Sequence, residues 1–449
     1  MKHLFSRLSP AQKIILSFLL VIFCGSLLLS LPWVQTASSQ ASYLDHLFTA
    51  VSMVCVTGLF TRSVVDTYNV WGQLLCMLLI QIGGLGILTF IGFFTMESRK
   101  KLSLKDRRIL RDSFSYGNNR TLGQFVRSIF ITTFSIEGLG ALLLMIRFIP
   151  KFGLRKGIFN SIFLAVSAFC NAGFDNFGND SLLGFQTDVL VNITLALLII
   201  TGGLGFMVWF DLATKLGGKQ KGLHFHTKVV LLLTAGLLVF GTVTSLWTEY
   251  NNPGTIGNLS FGDKLLVSFF QTVSMRTAGF ASIDYTASRP VTLFIYLLQM
   301  FLGGAPGGTA GGLKITTFLV LLLFARKEIL GLPHTNMGRR TLSPQLVQKA
   351  FGVTVIFQLT FLLGLLALGL VTDSSHRFIY LIFETVSALA TVGVTANITT
   401  SLNTAGMIVI MLLMFIGRVG PLTLMVSLNH YQPKKAATLH YSKADIMIG

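Results

Sequence analysis

Four short segments of the sequence carry residues that can replace the hydration shell of a cation. They read FTAVSMVCVTGLF, FLAVSAFCNAGFD, FQTVSMRTAGFA and FETVSALATVGVT, and each has Phe, then Val-Ser three and four residues later, then glycine. The chemistry lies in the backbone, because a row of inward-pointing carbonyl oxygens coordinates a dehydrated cation. Such a row needs dihedral angles that residues with a Cβ rarely adopt, so glycine is required. The four glycines are Gly58, Gly173, Gly279 and Gly393.

We predict that these segments line one pore and that the residues around each glycine form its cation-binding filter. The Ser-to-Gly spacing is six residues in three copies and five in the third. Short helices ending at the filter would direct their negative dipole ends toward the pore centre, which favours a cation. The predicted filter residues are Val56, Thr57, Gly58, Leu59, Asn171, Ala172, Gly173, Phe174, Thr277, Ala278, Gly279, Phe280, Thr391, Val392, Gly393 and Val394.

A second glycine motif follows each filter glycine after 24 to 29 residues. Its copies read IGGLGIL, TGGLGFM, LGGAPGG and IGRVGPL, with first glycines Gly83, Gly202, Gly303 and Gly417. Generic small residues at helix contacts account for one or two such copies, but not for the whole matched set. The two motifs together therefore indicate a fourfold internal repeat.

The elements that must position these motifs are apolar segments of two lengths. Segments long enough to span a bilayer alternate with shorter apolar stretches of about 10–14 residues, a length typical of re-entrant segments. The predicted spans are 14–31, 70–96, 124–149, 187–210, 228–248, 291–325, 348–371 and 404–428. The shorter stretches are 44–55, 159–170, 264–275 and 378–390.

The fold class that follows is an all-α membrane protein with four non-identical helix–pore-helix–filter–helix repeats around a pseudo-fourfold pore. Charged residues make up 12% of the chain, about half of the ~25% found in soluble domains. Mean hydropathy is +0.71. We predict pore repeats at 1–98, 99–214, 215–327 and 328–449.

The net charge of +18 reflects membrane topology rather than nucleic-acid binding. Of 35 Lys and Arg residues, 24 fall in five segments that alternate with pairs of apolar runs, and the positive-inside rule makes that side cytoplasmic. The segments are 1–13, 97–127, 211–228, 325–349 and 430–449. We therefore predict a multi-pass plasma-membrane protein with cytoplasmic N- and C-termini, attracted to anionic membrane lipids or an acidic cytosolic partner.

The filter motif supports a resemblance to a known family. Thr391-Val-Gly-Val resembles the T-V-G-Y-G filter of potassium channels, and the fourfold plan is similar to the Trk/Ktr/HKT superfamily of potassium transporters over residues 1–449. Only the fourth repeat keeps Thr-Val-Gly, and no copy has the second filter glycine. Gly58, where some members of the superfamily carry serine and transport sodium, favours potassium.

The resemblance implies potassium uptake by a homodimer, controlled by a ring of cytosolic nucleotide-binding RCK subunits of the KtrA type. No cofactor is expected on this chain besides the transported K⁺, and ATP or ADP is expected only on the partner subunit. The basic stretches at 97–123, 215–227 and 326–347 offer a docking surface, and LSLKDRRILR at 102–111 is interpreted as a charged, solvated loop, with a short amphipathic helix on the membrane surface as the alternative. The tail SKADIMIG is predicted to enter the dimer contact.

The glycine-rich stretch GGAPGGTAGGLK is predicted to break the second helix of the third repeat after Leu302 and to form an intramembrane gate. A phosphate-binding loop is excluded, because Gly312-Leu-Lys-Ile-Thr is not G-K-[ST] and no strand precedes it. A helix kink with no role in transport is the alternative, since proline and glycine break helices in any context. The predicted gate residues are Gly303, Gly304, Ala305, Pro306, Gly307, Gly308, Thr309, Ala310, Gly311, Gly312, Lys314 and Arg418.

Arg418 lies inside the last apolar run, where the other repeats have the second glycine of the motif. A charge near mid-membrane costs at least about 2.5–3.5 kcal/mol and indicates a functional site. We predict that it acts as a barrier and latch in the cavity, with a purely structural arginine as the alternative. Lys314 is expected to reach cytosolic water, and Arg276 and Glu384 to form a buried pair behind the filter.

Two other function classes fit the sequence less well. An alternating-access symporter favours inverted repeats, whereas these four repeats run in one direction. An enzyme is excluded by the lack of H-E-x-x-H or a Ser/His/Asp set at membrane depth. His224 and His226, which flank Phe225 in a cytoplasmic loop, are not interpreted as a metal site.

Overall fold

The computed structural model of this chain describes residues 10–86, 122–178, 181–218, 220, 222–372, 377–420 and 423. The charged segment at 102–111 and the C-terminal tail at 430–449 lie outside the described residues.

Within the described residues, four helices are long and apolar enough to span a membrane, and each opens one of the predicted repeats. Only 17–39% of the apolar window of each helix is buried inside the protein, as expected for helices that face lipid. They are α1 (Pro10–Leu29), α5 (Leu122–Phe152), α9 (Phe225–Glu249) and α13 (Pro344–Val371).

The pore helices are shorter and more deeply buried. At 1.5 Å per residue, helices of 12 to 16 residues are about 18–24 Å long, too short for a hydrocarbon core of about 30 Å. Ser42 begins the first of them through a capping box with Asp45. The pore helices are α2 (Tyr43–Cys55), α6 (Leu154–Phe169), α10 (Phe261–Ser274) and α14 (Phe378–Leu389).

The second helix of each repeat ends within two residues of the first glycine of its glycine motif. Two of these helices are followed directly by a glycine with left-handed φ, Gly86 (83°) and Gly420 (91°), and in the second repeat such a glycine, Gly205 (89°), comes one residue later, after Leu204. The four helices are α4 (Val70–Leu85), α7 (Val189–Gly203), α11 (Pro290–Phe301) and α15 (Thr404–Val419).

The break in the third repeat is confirmed, whereas the continuous span predicted at 187–210 is wrong. After α11 the chain resumes helical structure only in α12 (Ile315–Ile329). After α7 it turns by 97° into α8 (Phe206–Leu216). The turn is physically required, because a left-handed Gly205 cannot continue a right-handed helix.

Smaller elements complete the connections. A four-residue helix, α3 (Val64–Thr67), precedes α4. Between α12 and α13, strand β1 (Asn336–Met337) pairs antiparallel with strand β2 (Arg340–Thr341). The fold is otherwise helical in the described part of the chain.

The helices pack as a closed ring. The second helix of each repeat contacts the pore helix of the next repeat, and the second helix of the fourth repeat contacts the pore helix of the first. The pairs are α4 with α6, α7 with α10, α11 with α14, and α15 with α2. This cyclic packing brings the carboxyl ends of the four pore helices together.

A buried carboxylate fixes the end of α9. Glu249 is 1% exposed and accepts hydrogen bonds from the Arg289 N–H (2.9 Å), Asn252 Nδ2 (2.5 Å), Thr255 Oγ1 (2.6 Å) and Thr292 Oγ1. The carboxylate therefore joins α9 to the connection that follows it and to the first turn of α11.

We predict that Glu249→Ala lowers the free energy of unfolding by about 2–4 kcal/mol, because several buried donors lose their acceptor. Thermal unfolding in detergent measures the effect as a lower Tm. The control is Val243→Ala on the same helix, where the side chain is exposed and little change is expected. Equal Tm losses in both variants would contradict the role given to the carboxylate.

Candidate ion pathway

The four filter segments meet at one point and in cyclic order. A Cβ added at each filter glycine would come within 3.0 Å of the carbonyl oxygen that precedes the glycine of a neighbouring repeat, closer than real Cβ atoms approach. The pairs are Gly58 with Ala172, Gly173 with Ala278, Gly279 with Val392, and Gly393 with Thr57. The backbones thus converge so closely that no side chain fits between them. All 16 predicted filter residues are buried.

The chain enters each filter segment through a left-handed residue that is not glycine. The residue two positions before each glycine has φ between 51° and 68°. Three of these residues are β-branched, for which this conformation is costly, and the fourth is asparagine, which tolerates it. They are Val56, Asn171, Thr277 and Thr391. Strain of about 1–3 kcal/mol per residue is held at such sites by the surrounding structure.

The serine of each Val-Ser pair holds the filter backbone in place. Ser52 and Ser387 accept hydrogen bonds from the N–H groups of their own filter glycines, both at 3.1 Å. Ser167 accepts from the Phe174 N–H at 2.9 Å. All four serines are fully buried.

The third repeat uses its serine differently. Ser274 donates to the Phe280 carbonyl oxygen at 2.5 Å, rather than accepting from an N–H group. This repeat has one residue fewer between serine and glycine, so the hydroxyl meets a different backbone group. The repeated Val-Ser is evident in the sequence, whereas the hydrogen bonds of its serine to the filter backbone are evident only in the structure.

The second glycine motif is where each second helix lies against a pore helix. A Cβ on the first glycine would come within 3.0 Å of a carbonyl oxygen near the end of the pore helix of the same repeat. That carbonyl belongs to the residue two positions before the left-handed filter residue. This holds in three repeats, for Gly83 with Val54, Gly202 with Phe169, and Gly417 with Leu389. In the third repeat the corresponding Gly303 lies instead against Gly311, because the glycine-rich loop intervenes.

The loop at 303–314 lies directly against the filter segments of the third and fourth repeats. The Gly311 N–H donates to Thr277 Oγ1 at 3.1 Å, and a Cβ on Gly311 would collide with the side chain of Thr391. At the base of the loop, Gly303 N–H donates to Leu313 O at 2.9 Å. The loop therefore crosses below the point where the filter segments meet.

Thr309 fastens the loop with three of its polar groups. Its N–H donates to the Gly202 carbonyl (3.2 Å) and its hydroxyl to the Phe169 carbonyl (3.0 Å), both in the second repeat. Its carbonyl accepts from Arg418 Nη1 at 2.5 Å. A loop with six glycines is flexible in isolation, but here its backbone is bonded on several sides.

Arg418 joins three repeats. Besides the Thr309 carbonyl, its guanidinium donates to the carbonyl oxygens of Gly84 (3.2 Å) and Gly83. Within the described residues it makes no ion pair with a carboxylate. In the described part of the chain its positive charge is therefore stabilised by carbonyl oxygens alone.

Two sequence hypotheses about charged residues are corrected. Lys314 is partly exposed, but its Nζ turns back to the loop and donates to the carbonyl oxygens of Ala310 (2.6 Å) and Gly311 (3.4 Å).

The predicted Arg276–Glu384 pair is absent from the described part of the chain. Glu384 instead accepts from Thr395 Oγ1 (2.6 Å) and Thr399 Oγ1, which fixes the segment that follows the fourth filter glycine. Arg276 Nε is buried and has no hydrogen-bond partner among the described residues. The carboxylate is satisfied locally, so it does not need the arginine.

Comparison with known proteins agrees with this architecture. The family model described as "TrkH: Cation transport protein" matches residues 7–438. "Ktr system potassium uptake protein B" of Bacillus subtilis is 39% identical over 99% of this chain and 97% of its own length. "Potassium/sodium uptake protein NtpJ" of Enterococcus hirae is also 39% identical, over 100% of this chain and 99% of its own.

A solved structure shows the same fold. The potassium transporter TrkH of Vibrio parahaemolyticus superposes with a TM-score of 0.73 at 18% identity, covering 93% of this chain and 84% of that one. The chain therefore belongs to the TrkH family of cation transport proteins, which are multi-pass helical membrane transporters and not enzymes.

Proposed function

We propose that this chain takes up potassium into the cell across the plasma membrane, through a filter formed by its four glycine segments. The observation that carries the proposal is the cyclic convergence of the four filter glycines onto the carbonyl oxygens of neighbouring repeats. Backbone carbonyls so arranged replace the hydration shell of a cation. The relatives from B. subtilis and E. hirae are both named for potassium uptake.

The preference for potassium over sodium rests on the backbone geometry of the ring. The left-handed residues and the serine hydrogen bonds fix where the carbonyl oxygens stand. A fixed ring cannot contract around a smaller ion without breaking these bonds. Since one relative is named for both potassium and sodium, discrimination between the two ions is the property to measure.

The loop at 303–314 is the gate in this proposal, in the closed position. It crosses below the filter, and Arg418 and Lys314 place two positive charges beside that path. A cation leaving the filter therefore meets both a steric and an electrostatic barrier. Opening requires the hydrogen bonds of Thr309 to the second repeat and to Arg418 to break.

Regulation by a cytosolic nucleotide-binding ring, and a homodimeric membrane subunit, complete the proposal. The name of the B. subtilis relative refers to a Ktr system, which implies further components. The basic segments 211–228 and 325–349 support a docking surface and termini on the cytoplasmic side, following the positive-inside rule.

We predict that Gly393→Ser relaxes ion selectivity, because any Cβ at this position collides with the Thr57 carbonyl and displaces the ring. Rubidium uptake into liposomes, competed by potassium or sodium, measures it. We expect the preference for potassium to fall by about tenfold, equivalent to about 1.4 kcal/mol. The control is Gly369→Ser in the same repeat, where a Cβ meets no atom within 4 Å. Unchanged selectivity in Gly393→Ser would contradict a filter at this ring.

Deletion of residues 307–312 is expected to raise rubidium flux, because it removes the segment that lies below the filter. Potassium must still compete with rubidium, and sodium must not, which shows that the filter is intact. A folded deletion variant that no longer transports would instead assign the loop to a carrier mechanism.

Arg418→Gln is expected to raise flux by about tenfold, since hydrogen bonds to a charged group contribute about 1.5–3 kcal/mol. Arg418→Lys separates the two roles of this residue. Lysine keeps the charge but cannot bond both the loop and the first repeat with a planar guanidinium. If flux through Arg418→Lys stays low, the positive charge is the barrier. If flux rises as in Arg418→Gln, the hydrogen bonds of the guanidinium to the loop are the larger effect. Lower flux in Arg418→Gln would contradict both roles.

A further inference from the structure

The start of α8 is bonded to the middle of the loop. Gly205, at the 97° turn, has φ 89°, and a Cβ there would come within 2.7 Å of the Pro306 carbonyl oxygen. The next residue, Phe206, donates its N–H to the Gly307 carbonyl at 3.0 Å. Just before the turn, the Gly203 carbonyl accepts from the Ala305 N–H at 2.9 Å. Any displacement of α8 therefore acts on the loop backbone.

An apolar cluster connects α8 to both ends of the same loop. Val208 of α8 packs with Ala305, near the start of the loop, and with Ile315, the first residue of α12. Leu204 and Val230 complete the cluster, and all five residues are at most 6% exposed. Because close-packed interiors transmit displacement, moving α8 shifts both ends of the loop.

The middle of α8 is held by polar contacts to the segment that leads into α9. Asp211 is 4% exposed and accepts from the His224 N–H at 2.9 Å, from His224 Nδ1 and from the Gln220 side chain. His224 directly precedes α9, and its own side chain is 73% exposed. The buried carboxylate on α8 is thus bonded to the exposed His224 and to Gln220, and also to the buried Thr227 in the first turn of α9.

We propose that α8 is the lever that couples the cytoplasmic surface to the loop, and that the contact between Asp211 and His224 holds this lever in the closed position. The inference rests on the proposed function of the loop as a gate, and it names the element through which a regulator acts. Asp211 is a positioning residue, since it contacts neither the ion path nor the loop. A partner that draws His224 away from Asp211 removes two of the hydrogen bonds that hold α8, which allows α8 to shift and the loop to shift with it.

The test combines Asp211→Ala with the 307–312 deletion in the full chain and measures rubidium flux into liposomes. In the intact chain we expect Asp211→Ala to raise flux by about fivefold, because a charge-assisted contact of the closed state is lost. In the deletion variant we expect no further rise, because α8 no longer has a loop to release. A similar rise in both backgrounds would overturn the lever.

The failure of the gate itself is a separate outcome. If the deletion alone leaves flux unchanged, the proposed gate is wrong, and with it the premise of the lever. If the deletion raises flux but Asp211→Ala in the intact chain does not, only the lever is overturned.

The control is Thr214→Ala on α8, whose hydroxyl bonds, among the described residues, to the carbonyls of Phe210 (3.0 Å) and Asp211 (2.9 Å) in its own helix and to no other group. It should leave flux unchanged. His224→Ala gives a second measure if Asp211→Ala fails to fold, because it removes one donor at an exposed position. Faster amide hydrogen exchange over residues 305–315 in His224→Ala, with higher flux, supports the lever. Unchanged exchange and flux would overturn it.

Discussion

The convergence of four polypeptide backbones at one point is the constraint on which the other features depend. In the proposed filter, carbonyl oxygens that face the ion path are unavailable for helix hydrogen bonds, so the chain leaves the helix once in each repeat. Backbone of this kind is tolerated in a membrane only where protein buries it or water reaches it. The protein meets the requirement with buried serines that bond the filter backbone and with glycines that let each second helix approach a pore helix.

The repeats can be predicted from the sequence because close backbone contact requires glycine, and a glycine therefore recurs at the matching position of every copy. The filter glycines, the pore helices and the break after Leu302 were found in this way. Val56, Thr277 and Thr391 could not be recognised as left-handed, since local propensity disfavours that conformation and only tertiary packing imposes it. The 97° turn at Gly205 was missed although its glycine is part of the repeated motif, because an apolar run continues through it. The roles of filter and gate remain predictions.

The bonds around the loop also bear on how readily it moves. Six hydrogen bonds join the loop to the second repeat, to Thr277 and to Arg418. A typical buried hydrogen bond contributes about 0.5–1.5 kcal/mol net, so together they stabilise this position by roughly 3–9 kcal/mol. A shift from 1:99 to 99:1 between two states takes about 5.5 kcal/mol. The bonded position of the loop is therefore stable by itself, and its free energy is of the size that the binding of a partner can offset.

The unequal third repeat has a consequence for how such a pore is encoded. Its loop contacts filter residues of the third and fourth repeats, backbone of the second, and an arginine that also bonds the first. A tetramer of identical subunits would bring four copies of this loop to the axis, where one copy already contacts three quadrants and is linked to the first through Arg418. Covalent fusion of the quadrants into one polypeptide removes that collision, since each quadrant is then free to diverge by itself. A single loop that lies to one side of the axis can thus be encoded by a fused chain, but not by an assembly of four identical subunits.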